Sequence, residues 1–208
     1  MRIVIVDYGV GNTSSIQNML AKCGQDSLIS SNEEEIATAD KLILPGVGSF
    51  DTGMSKLKSL NLIEVLNQKV LIDKVPILGI CLGMQLLGLA SEEGELNGLS
   101  WIHFKSKHLS KITKELKVPH MGWNFVNKNS EHPLLADLDE TSRFYFVHSY
   151  YADCEKMEDT MLTAHYGESF TCAVFKENIA GVQFHPEKSH KFGLKLFRNF
   201  VSWDGSSC

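Results

Sequence analysis

Short β-rich runs, Ile3–Val6, residues 41–44 and residues 77–80, alternate with segments of helical spacing, and apart from Lys41 they are apolar on both faces. A strand without a polar face must be covered on both sides, so this rhythm demands a mostly parallel sheet with helices on two faces. The expected helices are residues 14–22, closed by Gly24, and a short one opened by Ser31 or Asn32 with Glu34 and Glu35 in its first turn. A helical region over residues 51–72 and a helix over residues 82–90 follow, and Ser27–Ser30 reads as a further strand. The second half carries shorter alternating segments at residues 101–109, 123–127, 143–148, 161–166, 171–176 and 181–184. They predict antiparallel strands that join the sheet or pack beside it. A last helix with Phe192, Leu196, Phe197 and Phe200 on one face completes an open α/β sandwich with a mixed, mostly parallel sheet.

At roughly 100–200 residues per domain, 208 residues without linker, repeat or low-complexity stretch predict a single domain over 1–208, with a frayed tail over 202–208. The 25 acidic and 20 basic side chains give a net charge of -5, which argues against nucleic-acid binding. Lys105, Lys107, Lys111, Lys114 and Lys117 form a local basic stretch, read as a solvated edge strand or loop. The apolar run 77–90 is too short for a bilayer and the first residues lack the pattern of a signal peptide, so a cytoplasmic protein is expected.

Five cysteines with no Cys-x-x-Cys pair disfavour both a disulfide framework and a zinc site. Cys23 reads as a buried helix-face residue, Cys172 lies in a strand, Cys154 reads as an incidental surface thiol and Cys208 ends the tail. Cys81 differs from these. Gly79-Ile80-Cys81-Leu82-Gly83 puts a nucleophile between two glycines where a strand passes into a helix, the cysteine form of a nucleophile elbow. The thiol is then exposed at the carboxyl end of the sheet, where such folds bind ligands. A dipole at the helix start favours a thiolate by about 0.3–1 kcal/mol. A buried cysteine at a glycine-lined contact is the plain alternative.

A base is needed, and the eight histidines show no metal-ligand spacing, so neither metal nor cofactor is expected. His185 ends the strand-like segment 181–184 and begins His185-Pro186-Glu187, in which the fixed proline holds Glu187 near the imidazole. A carboxylate there fixes the tautomer and leaves the other ring nitrogen for the thiol. Pro45-Gly46-Val47-Gly48 leaves another strand at the same edge, and its amides, with that of Leu82, could stabilise an oxyanion. Alone, it is a strand-to-helix turn.

Gly79-Ile80-Cys81-Leu82-Gly83-Met84-Gln85 with His185-Pro186-Glu187, 104 positions after Cys81, resembles the class I (triad) glutamine amidotransferases, which have a flavodoxin-like architecture. Within that family Pro45-Gly46-Val47-Gly48, Pro119-His120-Met121-Gly122-Trp123-Asn124 and Phe146-Val147-His148-Ser149-Tyr150 are similar to the glutaminase subunit of imidazole glycerol phosphate synthase, and the likeness runs from Val4 to Phe200. The resemblance implies that Cys81 attacks L-glutamine to form a γ-glutamyl thioester, with His185 as acid and base and Glu187 orienting it. It implies an oxyanion hole at Val47, Gly48 and Leu82, and substrate contacts from Gly46, Gly48, Gln85, His148, Ser149 and Tyr150. It also implies a (β/α)8-barrel synthase subunit as partner in a heterodimer, faced by Asn12, Met121, Trp123, Asn124, Tyr150 and Lys188, which receives the ammonia for histidine biosynthesis. Read from the residues alone, Trp123 fits a core aromatic equally well, His148 a hydrogen-bonded strand end, and Lys188 a solvated lysine.

Gly9-Val10-Gly11-Asn12 invites a dinucleotide-binding reading, but Ser14 replaces the third glycine, and a tight turn near the partner-facing edge is expected instead. Residues 99–106 depart from the family pattern of a more glycine- and arginine-containing segment. That departure keeps open a paralogous glutaminase whose barrel partner aminates surface-polysaccharide sugars. A cysteine hydrolase or peptidase of related fold and a silent binding module are the rivals from other classes.

Overall fold

The computed structural model describes residues 1–206. Strands β1 (Ile3–Val6), β2 (Ser27–Ser30), β3 (Lys41–Gly46) and β4 (Ile77–Cys81) alternate with helices α1 (Thr13–Lys22), α2 (Glu33–Ala37), α3 (Phe50–Ser59) and α4 (Leu62–Asn67). The short helix α5 (Leu82–Leu86) follows β4 directly. Next come β5 (Ala90–Ser91), β6 (Phe104–His108), β7 (His120–Phe125), β8 (Asn127–Lys128), β9 (Arg143–His148), β10 (Tyr150–Cys154), β11 (Thr160–Tyr166), β12 (Glu168–Lys176) and β13 (Ile179–Val182), then helix α6 (His190–Ser202).

The main sheet runs β2-β1-β3-β4-β13-β12-β10-β6-β5, with β11 attached to β12 and β8. From β2 to β13 the pairings are parallel; β12 and β10 add antiparallel strands. Strands β7 and β9 form a separate antiparallel ribbon. Both modes anticipated for the second half therefore occur. Alternation along β1 shows why the sheet needs two covers: Ile3 and Ile5 pack with Ile16, Leu20, Leu196 and Phe200 of α1 and α6, whereas Val4 and Val6 pack with Phe50, Leu57, Leu62 and Leu66 of α3 and α4. The result is the α/β sandwich with a mixed sheet that the sequence predicts. No described helix is long and apolar enough to cross a membrane.

Several boundaries differ from expectation. The region 51–72 breaks at Asn61, whose φ of 56° starts α4 afresh, and ends in a wide π-type turn, Gln68–Ile72. Helix α5 stops at Leu86 rather than residue 90: beyond it the Leu89 amide donates to Phe104 O at 2.8 Å, and Gly88 packs so closely on Phe104 that a Cβ there would lie 2.7 Å from the ring. The segment 101–109 becomes a strand only at Phe104, with Trp101 and Ile102 buried as loop residues. Strand β10 has no counterpart among the expected segments, which end at His148 and resume at Met161; only Ser149 divides it from β9. The chain end is anchored past residue 202: Trp203 is buried, and the buried Lys41 ammonium donates to the carbonyls of Phe200 and Trp203. Cys208 and Ser207 lie outside the described residues.

Cys23 sits half-buried at the C-cap of α1. Cys154 is half-buried rather than a free surface thiol, and burial pushes its pKa up to about 11. The basic stretch is neutralised in part on the spot, as Lys107 pairs with Asp153 at 2.6 Å and Lys111 with Glu92 at 2.7 Å.

Candidate active site

Cys81 closes β4 with φ 55° and ψ −111°, a left-handed conformation that costs a side-chain-bearing residue about 1–3 kcal/mol. Tight packing on all sides imposes it. A Cβ at Gly83 would overlap the Leu44 carbonyl, one at Gly79 would lie 2.8 Å from Gly83 O, and one at Gly46 would overlap the Tyr8 hydroxyl. The glycines flanking the thiol serve close backbone approach, and the strained torsion falls on the cysteine itself.

Strand β13 lies beside β4 in parallel, with Val182 opposite Ile80, so the residues after β13 emerge next to Cys81. This register brings together residues far apart in sequence. His185 Nδ1 lies 2.8 Å from Glu187 Oε1, and both side chains are almost wholly buried. The acceptor carboxylate puts the proton on Nδ1. His185 Nε2 is buried without an aligned partner among the described residues, and Cys81 is the group close enough to act on it. Burial disfavours the charged ring, but hydrogen bonding to Cys81 and then to Glu187 outweighs it and pushes the His185 pKa up to about 10. Ser189 holds the turn from behind: its hydroxyl donates to His185 O at 2.6 Å and accepts from the Tyr145 amide at 3.0 Å.

A cavity of about 330 Å³ opens over the thiol, lined by Val47, Gly48, Cys81, Gln85 and His185 on one side and by Glu93, Pro119, Val147, His148, Ser149 and Tyr150 on the other. That volume suits a small molecule. Of the expected substrate contacts, Gly46 alone lies behind the wall, paired with Cys81 across β3 and β4. Val47 and Gly48 are exposed, Gly48 has φ 100°, and a Cβ there would meet nothing within 4 Å. Leu82 begins α5 beneath them; that helix is too short for much of the dipole effect expected of a longer one.

Two cavity-side residues escaped the sequence reading. Glu93 reaches the wall from a loop, where no periodicity marks it, and accepts from the Phe50 amide at 2.8 Å. Gln183 is fully buried two residues before His185, a spacing that puts both side chains on one face of an extended segment.

The remaining expected positions, Asn12 aside, gather around the β7–β9 ribbon. Met121 and Trp123 stand out from β7 with 63% and 42% exposure, joined by Phe125, so Trp123 is not a core aromatic. Its ring stacks on His190 at 5.6 Å. Asn124 points the other way, donating to His165 O at 2.8 Å. His148 is the hydrogen-bonded strand-end residue: Nδ1 meets Tyr150 O at 2.7 Å and Nε2 meets His120 Nδ1 at 2.9 Å. Burial holds both rings neutral, with pKa values of about 3 for His148 and about 4 for His120. Lys188 Nζ sits 5.9 Å over the Tyr145 ring, and exposed Asn12 caps α1. The turn Gly9 to Asn12 packs on the Pro45 loop, a Cβ at Gly11 falling 3.3 Å from Pro45 Cβ.

A buried imidazole between a carboxylate and a thiol on a strained elbow, under a small cavity, is equipped for acyl transfer through a thioester. Residues 4–203 match the family model described as glutamine amidotransferase class-I, and the chain belongs to that family. Within it the chain is 56% identical to "imidazole glycerol phosphate synthase subunit HisH 2" of Methanococcus maripaludis, over 96% of this chain and 98% of that one. It is 52% identical, at the same coverage, to the protein of that name from Pseudomonas aeruginosa. A crystal structure of a glutamine amidotransferase superposes with a TM-score of 0.75 at 15% identity, covering 96% of this chain and 97% of the other, a likeness of fold.

Proposed function

We propose that this chain is the glutaminase subunit that supplies ammonia to imidazole glycerol phosphate synthesis. Cys81 gives its thiol proton to His185 Nε2 as Sγ attacks the carboxamide carbon of glutamine, and Nε2 then delivers that proton to the departing nitrogen, so that the C–N bond breaks as ammonia leaves. Water then adds to the γ-glutamyl thioester with His185 as base, the C–S bond breaks and glutamate is released. Glu187 holds the imidazole and stabilises its charged form. The amides of Leu82 and of the Val47–Gly48 turn face the oxyanion, and Gln85, His148, Ser149 and Tyr150 hold the substrate. The single observation that carries this reading is the buried contact of His185 with Glu187 at 2.8 Å behind the Cys81 elbow.

The acceptor is a (β/α)8-barrel synthase subunit, docked in a heterodimer on the face formed by Asn12, Met121, Trp123 and Lys188. Exposed large apolar side chains beside the cavity support that placement. Asn124 and Tyr150 stand behind that face. Containment matters because ammonia released into neutral water is mostly protonated and has no lone pair to attack with. A cytoplasmic location goes with this reading, since the thiol must stay reduced.

A second reading keeps the chemistry and changes the acceptor to a sugar-modifying barrel; the departure at residues 99–106 favours it. The deciding measurement is glutamate release from glutamine by the chain alone and with the histidine-pathway barrel subunit of the same genome plus its nucleotide substrate. Strong stimulation is expected. A folded chain with reactive Cys81 and no stimulation points to the sugar-modifying partner.

A further inference from the structure

Gln183 has no water to turn to, being fully buried, so its amide orientation is fixed by what it touches. Its backbone is fixed as well, donating to Cys172 O at 2.8 Å. The side chain bridges two groups on different elements: Nε2 donates to Cys81 Sγ at 3.7 Å, and Oε1 accepts from Gln85 Nε2 at 2.9 Å. The polarity of this chain starts at the sulfur. A thiolate only accepts, so the Gln183 amino group must face it, which leaves the Gln183 oxygen for Gln85 and makes Gln85 the donor of that pair. Gln85, which lines the cavity, then has its own oxygen free to face the cavity. Flipping Gln183 would set its oxygen against the sulfur and two amino groups against each other.

We infer that Gln183 is a positioning residue that ties the orientation of the Gln85 amide to the Cys81 nucleophile, so that the cavity offers a bound substrate an acceptor oxygen from Gln85. The substrate group that meets this oxygen must carry N–H, as an ammonium or carboxamide does, and a carboxylate is turned away there. The inference rests on the glutaminase reading of the site. The other titratable groups against the thiol are His185, backed by Glu187, and Tyr8, whose hydroxyl donates to Pro45 O.

The two ends of Gln183 can be separated. Gln183→Glu keeps an oxygen for Gln85 and replaces the N–H at the sulfur by a carboxylate oxygen. Gln183→Met removes both contacts at similar volume. Two readouts apply: the rate at which iodoacetamide alkylates Cys81 in the isolated chain, followed on the Cys81 peptide across pH, and KM and kcat for glutamine in the complex with the barrel subunit. In Q183E, alkylation at neutral pH is expected to fall at least tenfold, with the deficit shrinking at alkaline pH, while KM stays within about threefold. In Q183M both alkylation and KM are expected to change about tenfold, and the KM effect should not add to that of Gln85→Met in the double variant. Wild-type alkylation in Q183E, or full additivity of the KM effects, overturns the inference. Should Q183M not fold, Q183E against wild type still decides, being nearly isosteric. A wild-type complex inert to glutamine removes the glutaminase reading instead, and the alkylation arm still reports on the Gln183 contact.

Discussion

The amide of His185 donates to the carbonyl of Tyr145 at 2.9 Å, a lone antiparallel bridge between the end of the central strand and the β7–β9 ribbon. The ribbon that carries the exposed Met121 and Trp123 thus also holds the backbone of the proposed base. Ser189 reinforces this link from the other side, so its removal tests whether the grip matters. Ser189→Ala strands the half-buried Tyr145 amide, at about 1–3 kcal/mol. A lower thermal midpoint and a kcat for glutamine reduced about tenfold are expected. An unchanged kcat would show that the turn holds His185 without help.

Replacing Cys81 by Ala should abolish glutamine-dependent amination by the complex and spare amination from added ammonium. Glu187→Gln keeps the shape but gives up the charge that stabilises the imidazolium, and a loss of about 10²–10⁴ in kcat is expected. Steady-state glutamate release measures the loss of glutamine turnover in both variants, and formation of the aminated product from added ammonium measures what C81A spares. Loss of the ammonium-dependent reaction in C81A would mean that the residue serves assembly.

Glycine substitutions should sort by the space around them. G83A drives a methyl into the Leu44 carbonyl, and G79A crowds Gly83 O at 2.8 Å, so both should lower stability severely, G83A more. G48A meets no neighbour and suffers only its φ of 100°, at about 1–2 kcal/mol, so the chain should fold and yet lose glutaminase turnover through a misdirected turn. Thermal melts beside activity assays separate the cases; a fully active G48A would remove Gly48 from the oxyanion hole.

Stability should depend on pH through buried histidines. Burial depresses His120 and His132 to about 4 and His148 to about 3, against about 6.5 in an unfolded chain. Between those values the unfolded chain binds more protons, so stability is full above pH 6.5 and is lost as pH falls towards 4, by up to about 1.4 kcal/mol per unit per histidine. His185, raised to about 10, works in the opposite sense: its contribution is full below pH 6.5 and is lost as pH rises through 10. A stability maximum near neutrality is expected from urea melts across pH 4–10, and a flat acid limb would contradict the neutral buried rings.

Much of this was readable in advance because the signals are local. The alternating apolar runs mark β1 to β4, Asn32 and the glutamates after it mark the start of α2, and the glycines around Cys81 mark the elbow. What the sequence hides depends on remote contacts. Helix α5 gives way after Leu86 to a chain whose Leu89 amide is claimed by the Phe104 carbonyl, a remote contact that no helical propensity records. Trp123 has the composition of a core residue, and only the pairing of β7 with β9 turns it outward. Gln183 looks like a strand polar residue until the register of β13 on β4 sets it between Cys81 and Gln85.

The place of β13 has a consequence for the chain as it is made. Strand β4, with the proposed nucleophile at its end, leaves the ribosome about a hundred residues before its neighbour, at a synthesis rate of roughly 5–20 residues per second. Until Ile179–Val182 arrive, the nascent sheet has an open slot beside β4, and the proposed base has not been synthesised. Filling the middle of the sheet and bringing the proposed base to the thiol are one event, so a product that stops before His185 has a cysteine but lacks the histidine on which the proposed release of ammonia depends.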